Sequence, residues 1–331
     1  VAGMRLLVLG GTVFLSRAVA ADAVARGHEV TCAARGTSGS VPDGARLVAL
    51  DRTQPLDAST LGEFDAVVDV ARHPSWVRNA VAAYADAHWV FVSTVNVYAD
   101  DTTPGGTPAT LPLVDAIEED VDLKETPEAY GPMKVACERA VLDGAASAMV
   151  MRPGLIVGPG DPTGRFSYWP RRLAHGGELL APGDPGDVMQ VADVRDLAAW
   201  AVTACEQRTT GVFDGVGTPL PMADLLAQCA EGVEPEVTWT WVDQGFLGEH
   251  EVEPWSGPAS IPLWLPRPEY DGLGSHDVGP SLDAGLTIRP LADTTRDTLA
   301  WLDATPDAVV GGIGLDREQE LLSAWHAQVS G

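Results

Sequence analysis

The chain has 331 residues, 45% of them hydrophobic, with 47 acidic and 21 basic residues and a formal net charge of −26. That length suits one large α/β domain or a domain with a smaller lobe. The charge argues against nucleic-acid and anionic-membrane partners, since Arg171-Arg172 is the longest basic run and no stripe offsets the acids.

Arg5, the apolar run Leu6 to Leu15 and Ala18-Val19-Ala20 superficially resemble a signal peptide. Gly10-Gly11-Thr12 interrupts the run and Arg17 lies before the supposed cleavage point, so a strand–turn–helix is the better reading. Met4 to Leu9 is a short, continuously apolar strand of the kind a parallel sheet buries on both faces. Phe14 to Arg26 is a helix with a small-residue packing face, stopped at Gly27, and His28 to Ala33 is a second strand. This is the opening of a dinucleotide-binding unit, in which backbone N–H groups at the helix start hold a pyrophosphate. Lined up with G-x-x-G-x-x-G, Gly10 is present, but Val13 and Ser16 replace the second and third glycines. The end of the second strand, Ala33-Ala34-Arg35-Gly36, has no acid for the ribose hydroxyls of NAD. Arg35 instead suits a 2′-phosphate, which favours NADP(H), with NAD(H) the other possibility.

A third strand, Leu47 to Leu50, runs into Asp51-Arg52, where Asp51 suits the adenine amino group. A fourth, Phe64 to Val70, leads into Ala71-Arg72-His73-Pro74, a loop expected to pass under the cofactor. Ser75 to Ala87 is a helix with Ser75 as its cap. A fifth strand, His88 to Ser93, delivers Ser93-Thr94 to the carboxyl end of the sheet, where open α/β folds bind ligands. The stretch Asp100 to Thr126 is a loop with a solvated acidic run, Glu118-Glu119-Asp120. Tyr130 to Leu142 is a helix that puts Tyr130 and Lys134 one turn apart on one face. An ammonium there would lower the phenol's pKa and fit it for proton transfer. Ala148 to Met151 is the sixth strand, and Asp316 to Gln328 an amphipathic terminal helix. Cys32, Cys137, Cys205 and Cys229 form no C-x-x-C and read as reduced thiols of a cytoplasmic protein. Gly248 to Glu253 alternates like a loop or strand edge and is not expected to bind metal.

Gly10-Gly11-Thr12-Val13-Phe14-Leu15, Ser93-Thr94-Val95-Asn96-Val97-Tyr98, Tyr130 with Lys134, Arg152-Pro153-Gly154 and Val191 to Asp196 occur in the order of the short-chain dehydrogenase/reductase superfamily. With the closing pattern from Ser281 to Trp301, they resemble its extended branch, the NAD-dependent epimerase/dehydratase type. The resemblance implies a Rossmann-type doubly wound parallel sheet with a smaller C-terminal substrate lobe. It divides the chain into 1–160, with 186–216 returning to it, and a lobe of 161–185 and 217–331. It implies Thr94, Tyr130 and Lys134 as catalytic residues. Cofactor contacts are expected from Gly10, Gly11, Thr12, Phe14, Leu15, Arg35, Asp51, Arg52, Ala71, Lys134 and Pro153, and substrate contacts from Asn96, Arg165 and Trp169. Trp239, Trp241, Trp255 and Trp264 are expected to form an aromatic wall in the lobe. The implied activity is NADP(H)-dependent hydride transfer on a carbonyl or alcohol of a small molecule. The alternative is a nucleotide-sugar epimerase or dehydratase, and a cofactor-sensing regulator is a third reading. A homodimer is a further implication.

Overall fold

The computed structural model describes residues 3–331. Its centre is a seven-stranded, wholly parallel sheet. The strands are β1 (Arg5–Leu9), β2 (Glu29–Ala34), β3 (Arg46–Ala49), β4 (Ala66–Asp69), β5 (His88–Val92), β6 (Ser147–Pro153) and β7 (Gly211–Gly215). They lie in the order β7-β6-β5-β4-β1-β2-β3. The apolar runs of β1, β4 and β5 are buried from end to end because helices cover both faces. On one face α1 (Phe14–Ala25) packs against α4 (Val194–Gln207); on the other α2 (Pro74–Ala83) packs against α3 (Tyr130–Gly144). The strand order reverses between β1 and β4, so a crevice opens beyond their carboxyl ends.

Several boundaries differ from expectation for local reasons. α2 begins at Pro74, whose fixed φ suits a first helical position, and Ser75 does not cap it. Ser75 directs its N–H and hydroxyl to Asp120 instead, and Glu118 pairs with Arg78 at 3.2 Å. The acidic run is thus a clasp on α2 as well as a solvated loop. β6 extends to Pro153 because β7 pairs along its whole length, Pro153 opposite Gly215.

A second layer is built from residues after β6 and after β7. Strands Gly177–Pro182 and Val237–Val242 pair in parallel beside helices Tyr168–His175, Met222–Glu231, Leu291–Ala304 and Leu315–Ser330. Trp169, Leu173, Leu179, Phe246, Leu321 and Leu322 share its apolar core. Trp169 was expected at the substrate. It is fully buried, and its indole N–H donates to the Pro262 carbonyl at 3.0 Å, so it is a packing residue. All four cysteines are buried and free, and burial pushes the Cys32 thiol up to about 11 and the Cys137 thiol up to about 12. Among the described residues no helix is long and apolar enough to cross a membrane, and no cluster of metal-ligating side chains is present.

Candidate active site

The crevice begins at the turn after β1. Gly10 and Gly11 have φ of 130° and 91°, which a side chain rarely adopts. A Cβ on Gly11 would sit 2.4 Å from the Cys32 sulfur. The Ser16 hydroxyl accepts from the Gly11 N–H at 3.0 Å and donates to the Val13 carbonyl at 2.9 Å. Serine in place of the third glycine therefore braces the turn from within. Gly11 was expected to touch cofactor; its N–H is held by Ser16 and its α-carbon packs on Cys32, so its role is to let the turn close. Val13 provides no side-chain cap, and the first turn of α1 carries no acid. Its outward N–H groups remain ready for an anion. Phe14 and Leu15 face the larger of the two cavities described here.

A groove of about 580 Å³ runs from this turn across the ends of β2, β3 and β4. Gly10, Thr12, Arg35, Asp51, Arg52 and Ala71 line it. Arg35 is exposed and makes no ion pair among the described residues. Asp51 accepts from the Thr53 N–H at 3.0 Å and hydroxyl at 2.8 Å, which holds its carboxyl below the usual range, with Arg35 adding to the effect. Arg52 departs from expectation. Its fork grips buried Asp69 at 3.2 and 2.9 Å and donates to the Trp76 carbonyl, so it shapes the groove wall and has little left to offer a ligand. Arg72, which the sequence reading passed over, lines the same groove and has no carboxylate partner among the described residues.

The groove meets a second cavity, of about 980 Å³, at Tyr130, which lines both. Thr94, Asn96, Lys134 and Pro153 line the second cavity too. α3 starts at Tyr130, so the phenol stands at the mouth of its helix, and β5 delivers Thr94 opposite. Burial pushes the Tyr130 phenol up; the Thr94 hydroxyl, and then Arg72 and Arg165, act in the other direction. Lys134 makes no hydrogen bond to it among the described residues. Its ammonium is buried and donates to the carbonyls of Ala71 (2.8 Å) and Val92 (2.5 Å), which binds it to the ends of β4 and β5. Burial lowers its pKa to about 8. The Thr94 hydroxyl donates to Asn96 Oδ1 at 2.8 Å and accepts from the Asn96 N–H, so Asn96 sets the direction of the Thr94 proton.

Beyond Tyr130 the cavity reaches the second layer at Arg165, Gln190, Trp255 and Tyr270. Of the four tryptophans expected to form a wall, only Trp255 lines it; Trp264 lies in the core, and Trp239 and Trp241 pack against that core from a strand. Behind the cavity lies a buried polar chain that sequence reasoning missed. Arg152 binds Glu138 at 2.9 and 2.7 Å and donates to the Tyr98 hydroxyl at 3.1 Å. Tyr98 donates to Asp214 at 2.6 Å, and Asp214 bonds His276 at 2.9 Å. These residues are far apart in sequence, and only the sheet brings them together.

Comparison with known proteins agrees with this fold. Residues 6–214, more than half of the chain, match the NAD dependent epimerase/dehydratase family. The dTDP-6-deoxy-L-talose 4-dehydrogenase (NAD(P)(+)) of Kitasatospora kifunensis is 27% identical over 323 residues, covering 89% of this chain and 92% of that protein. The 2'-dehydrokanamycin reductase of Streptomyces kanamyceticus is 30% identical over 238 residues, covering 67% of this chain and 64% of that protein. The crystal structure of WbmH from Bordetella bronchiseptica in complex with NAD+ matches with a TM-score of 0.64 at 15% identity, over 91% of this chain and 99% of that one. With its parallel sheet, glycine turn and Tyr130–Lys134 helix, the chain belongs to the NAD-dependent epimerase/dehydratase family.

Proposed function

We propose that this NAD(P)-dependent oxidoreductase favours NADP(H) and acts on a carbonyl or alcohol carbon of a small molecule, with Tyr130 as its acid/base. The observation that carries the proposal is the position of Tyr130, shared between the groove and the second cavity. A cofactor in the groove fits the glycine turn, the uncapped start of α1 and the guanidiniums of Arg35 and Arg72, which have no ion pair among the described residues. Bound there, it supplies or accepts the hydride. Tyr130 gives its proton to the developing alkoxide in reduction and takes it back in oxidation. A phenol raised by burial is protonated at neutral pH, which suits the reductive direction. Asn96 holds Thr94 so that its oxygen can receive a hydrogen bond, and Thr94 turns its own proton to the substrate oxygen only by releasing Asn96. Lys134 ties the ends of β4 and β5 together and keeps one N–H for the cofactor ribose.

The test is oxidation of NADPH, followed by absorbance, across a panel of aldehydes, ketones and oxo acids. Turnover with NADPH well above that with NADH supports the reading; NADH preference would remove the part given to Arg35. A second reading, nucleotide-sugar epimerisation or dehydration, draws on the dTDP-sugar dehydrogenase relative. Cofactor that stays bound through purification, with no net NADPH consumption, would favour it. A homodimer through the helices flanking the Tyr130–Lys134 helix is part of the proposal, and light scattering measures it.

A further inference from the structure

Arg165 stands out in the substrate cavity because of what it lacks. In a chain of net charge −26, its guanidinium makes no ion pair among the described residues. The acid that acts on it most, Asp161, accepts from the Thr163 N–H and hydroxyl at 2.8 and 2.7 Å instead. The position is nonetheless rigid. Gly164 is wedged against Gly311, whose N–H donates to the Gly164 carbonyl at 2.9 Å. Arg165 Nε donates to the Thr163 hydroxyl at 3.2 Å, and the guanidinium lies over the Trp255 ring, 5.1 Å from its centroid. Trp255 is held at φ 68°, a strained conformation for an aromatic residue and one more often found at ligand sites than elsewhere. With Nε anchored and the plane fixed by the ring, the two terminal nitrogens form a fork without an acceptor among the described residues, the geometry that receives a carboxylate.

We propose that Arg165, backed by Trp255, is the anion subsite of the substrate cavity, and that the substrate is an oxo acid, or the matching hydroxy acid, whose carboxylate binds Arg165 while its carbonyl meets Tyr130. Arg165 and Tyr130 line one cavity, so one ligand can meet both. A diphosphate fits less well. Among the described residues the same lining offers no second cation free of a protein partner, since Lys134 is bound to two carbonyls. The rest of the wall, with Leu155, Met189, Leu265 and Leu273, suits an alkyl tail.

This rests on the reading of Tyr130 as proton donor, and two measurements separate the two claims. The first compares kcat/KM for 3-oxooctanoate and for its methyl ester with NADPH. The wild type is expected to prefer the acid by roughly 30-fold, and Arg165→Met to bring the ratio to about one, with NADPH affinity as the control for folding. The second measures binding of 3-hydroxyoctanoate and its methyl ester to the NADP+-saturated protein by calorimetry, which needs no turnover. Acid binding that Arg165→Met abolishes supports the subsite even if Tyr130→Phe turns over normally. Equal binding of acid and ester, no binding of the acid, or an acid preference that survives Arg165→Met overturns it. UDP binding that depends on Arg165 while the oxo acid fails to bind would assign the fork to a nucleotide diphosphate and also overturn the proposal.

Discussion

Replacing Arg35 by alanine probes the cofactor preference directly. The side chain is exposed at the end of β2 and makes no ion pair among the described residues, so its loss leaves no buried partner behind and should not move the melting temperature. A hydrogen bond between charged groups contributes about 1.5–3 kcal/mol. At an exposed site in physiological salt, where the screening length is about 8 Å, the lower end applies. That value, about 1.5 kcal/mol, corresponds to roughly a tenfold loss of affinity. NADPH should therefore bind about tenfold more weakly to Arg35→Ala, while NADH, which lacks the 2′-phosphate, changes by less than about twofold. Nucleotide fluorescence titration measures both. The salt dependence of NADPH binding should also flatten. Equal weakening of the two cofactors would mean that Arg35 acts on a feature they share. No change in either would mean that it stays in solvent.

Three further outcomes follow from the packing. Glu138→Leu leaves the buried Arg152 guanidinium with only the Tyr98 hydroxyl, and urea denaturation should show a loss of about 3–5 kcal/mol. Lys134 has a folded pKa of about 8 against an ordinary 10.5. Between those values the unfolded chain holds a proton that the folded one has released, so this group's contribution to stability rises with pH across that window and is flat below it. The same deprotonation removes the ammonium that braces β4 and β5, so NADPH affinity of the wild type should fall above pH 8, a fall absent from Lys134→Met. Gly11→Ala drives a Cβ toward the Cys32 sulfur in a left-handed backbone, and calorimetry should record a lowered melting temperature together with weakened NADPH binding.

Much of the sheet was legible because its strands are short apolar runs separated by glycine and polar turns, a pattern that depends only on near neighbours. The same locality brought out Tyr130 and Lys134, one helical turn apart. Where side chains choose between partners, the sequence was silent. Nothing near Arg52 announces that Asp69 will hold it, and nothing near Ser75 points to Asp120. Nor does the spacing of Tyr130 and Lys134 announce that two carbonyls, from residues 71 and 92, hold the ammonium. Trp169 was read as a substrate contact from its place after β6, yet the Pro262 carbonyl, distant in sequence, fixes it inside the core. The Arg152–Glu138–Tyr98–Asp214–His276 chain draws on five separate segments, and its local sign is confined to Arg152 and Asp214, charges in otherwise apolar strands. Ser16 is the intermediate case. Its small size was readable, but its two hydrogen bonds appear only once the turn is built.

The central claim is that the Tyr130 phenol delivers the proton, and single-turnover reduction by Tyr130→Phe tests it most directly. With enzyme in excess over NADPH and a carbonyl substrate that the wild type accepts, the hydride-transfer rate should fall roughly 10²- to 10⁴-fold while NADPH affinity stays within about twofold. A rate within about threefold of the wild type, with cofactor still bound, would take the proton-transfer role away from Tyr130.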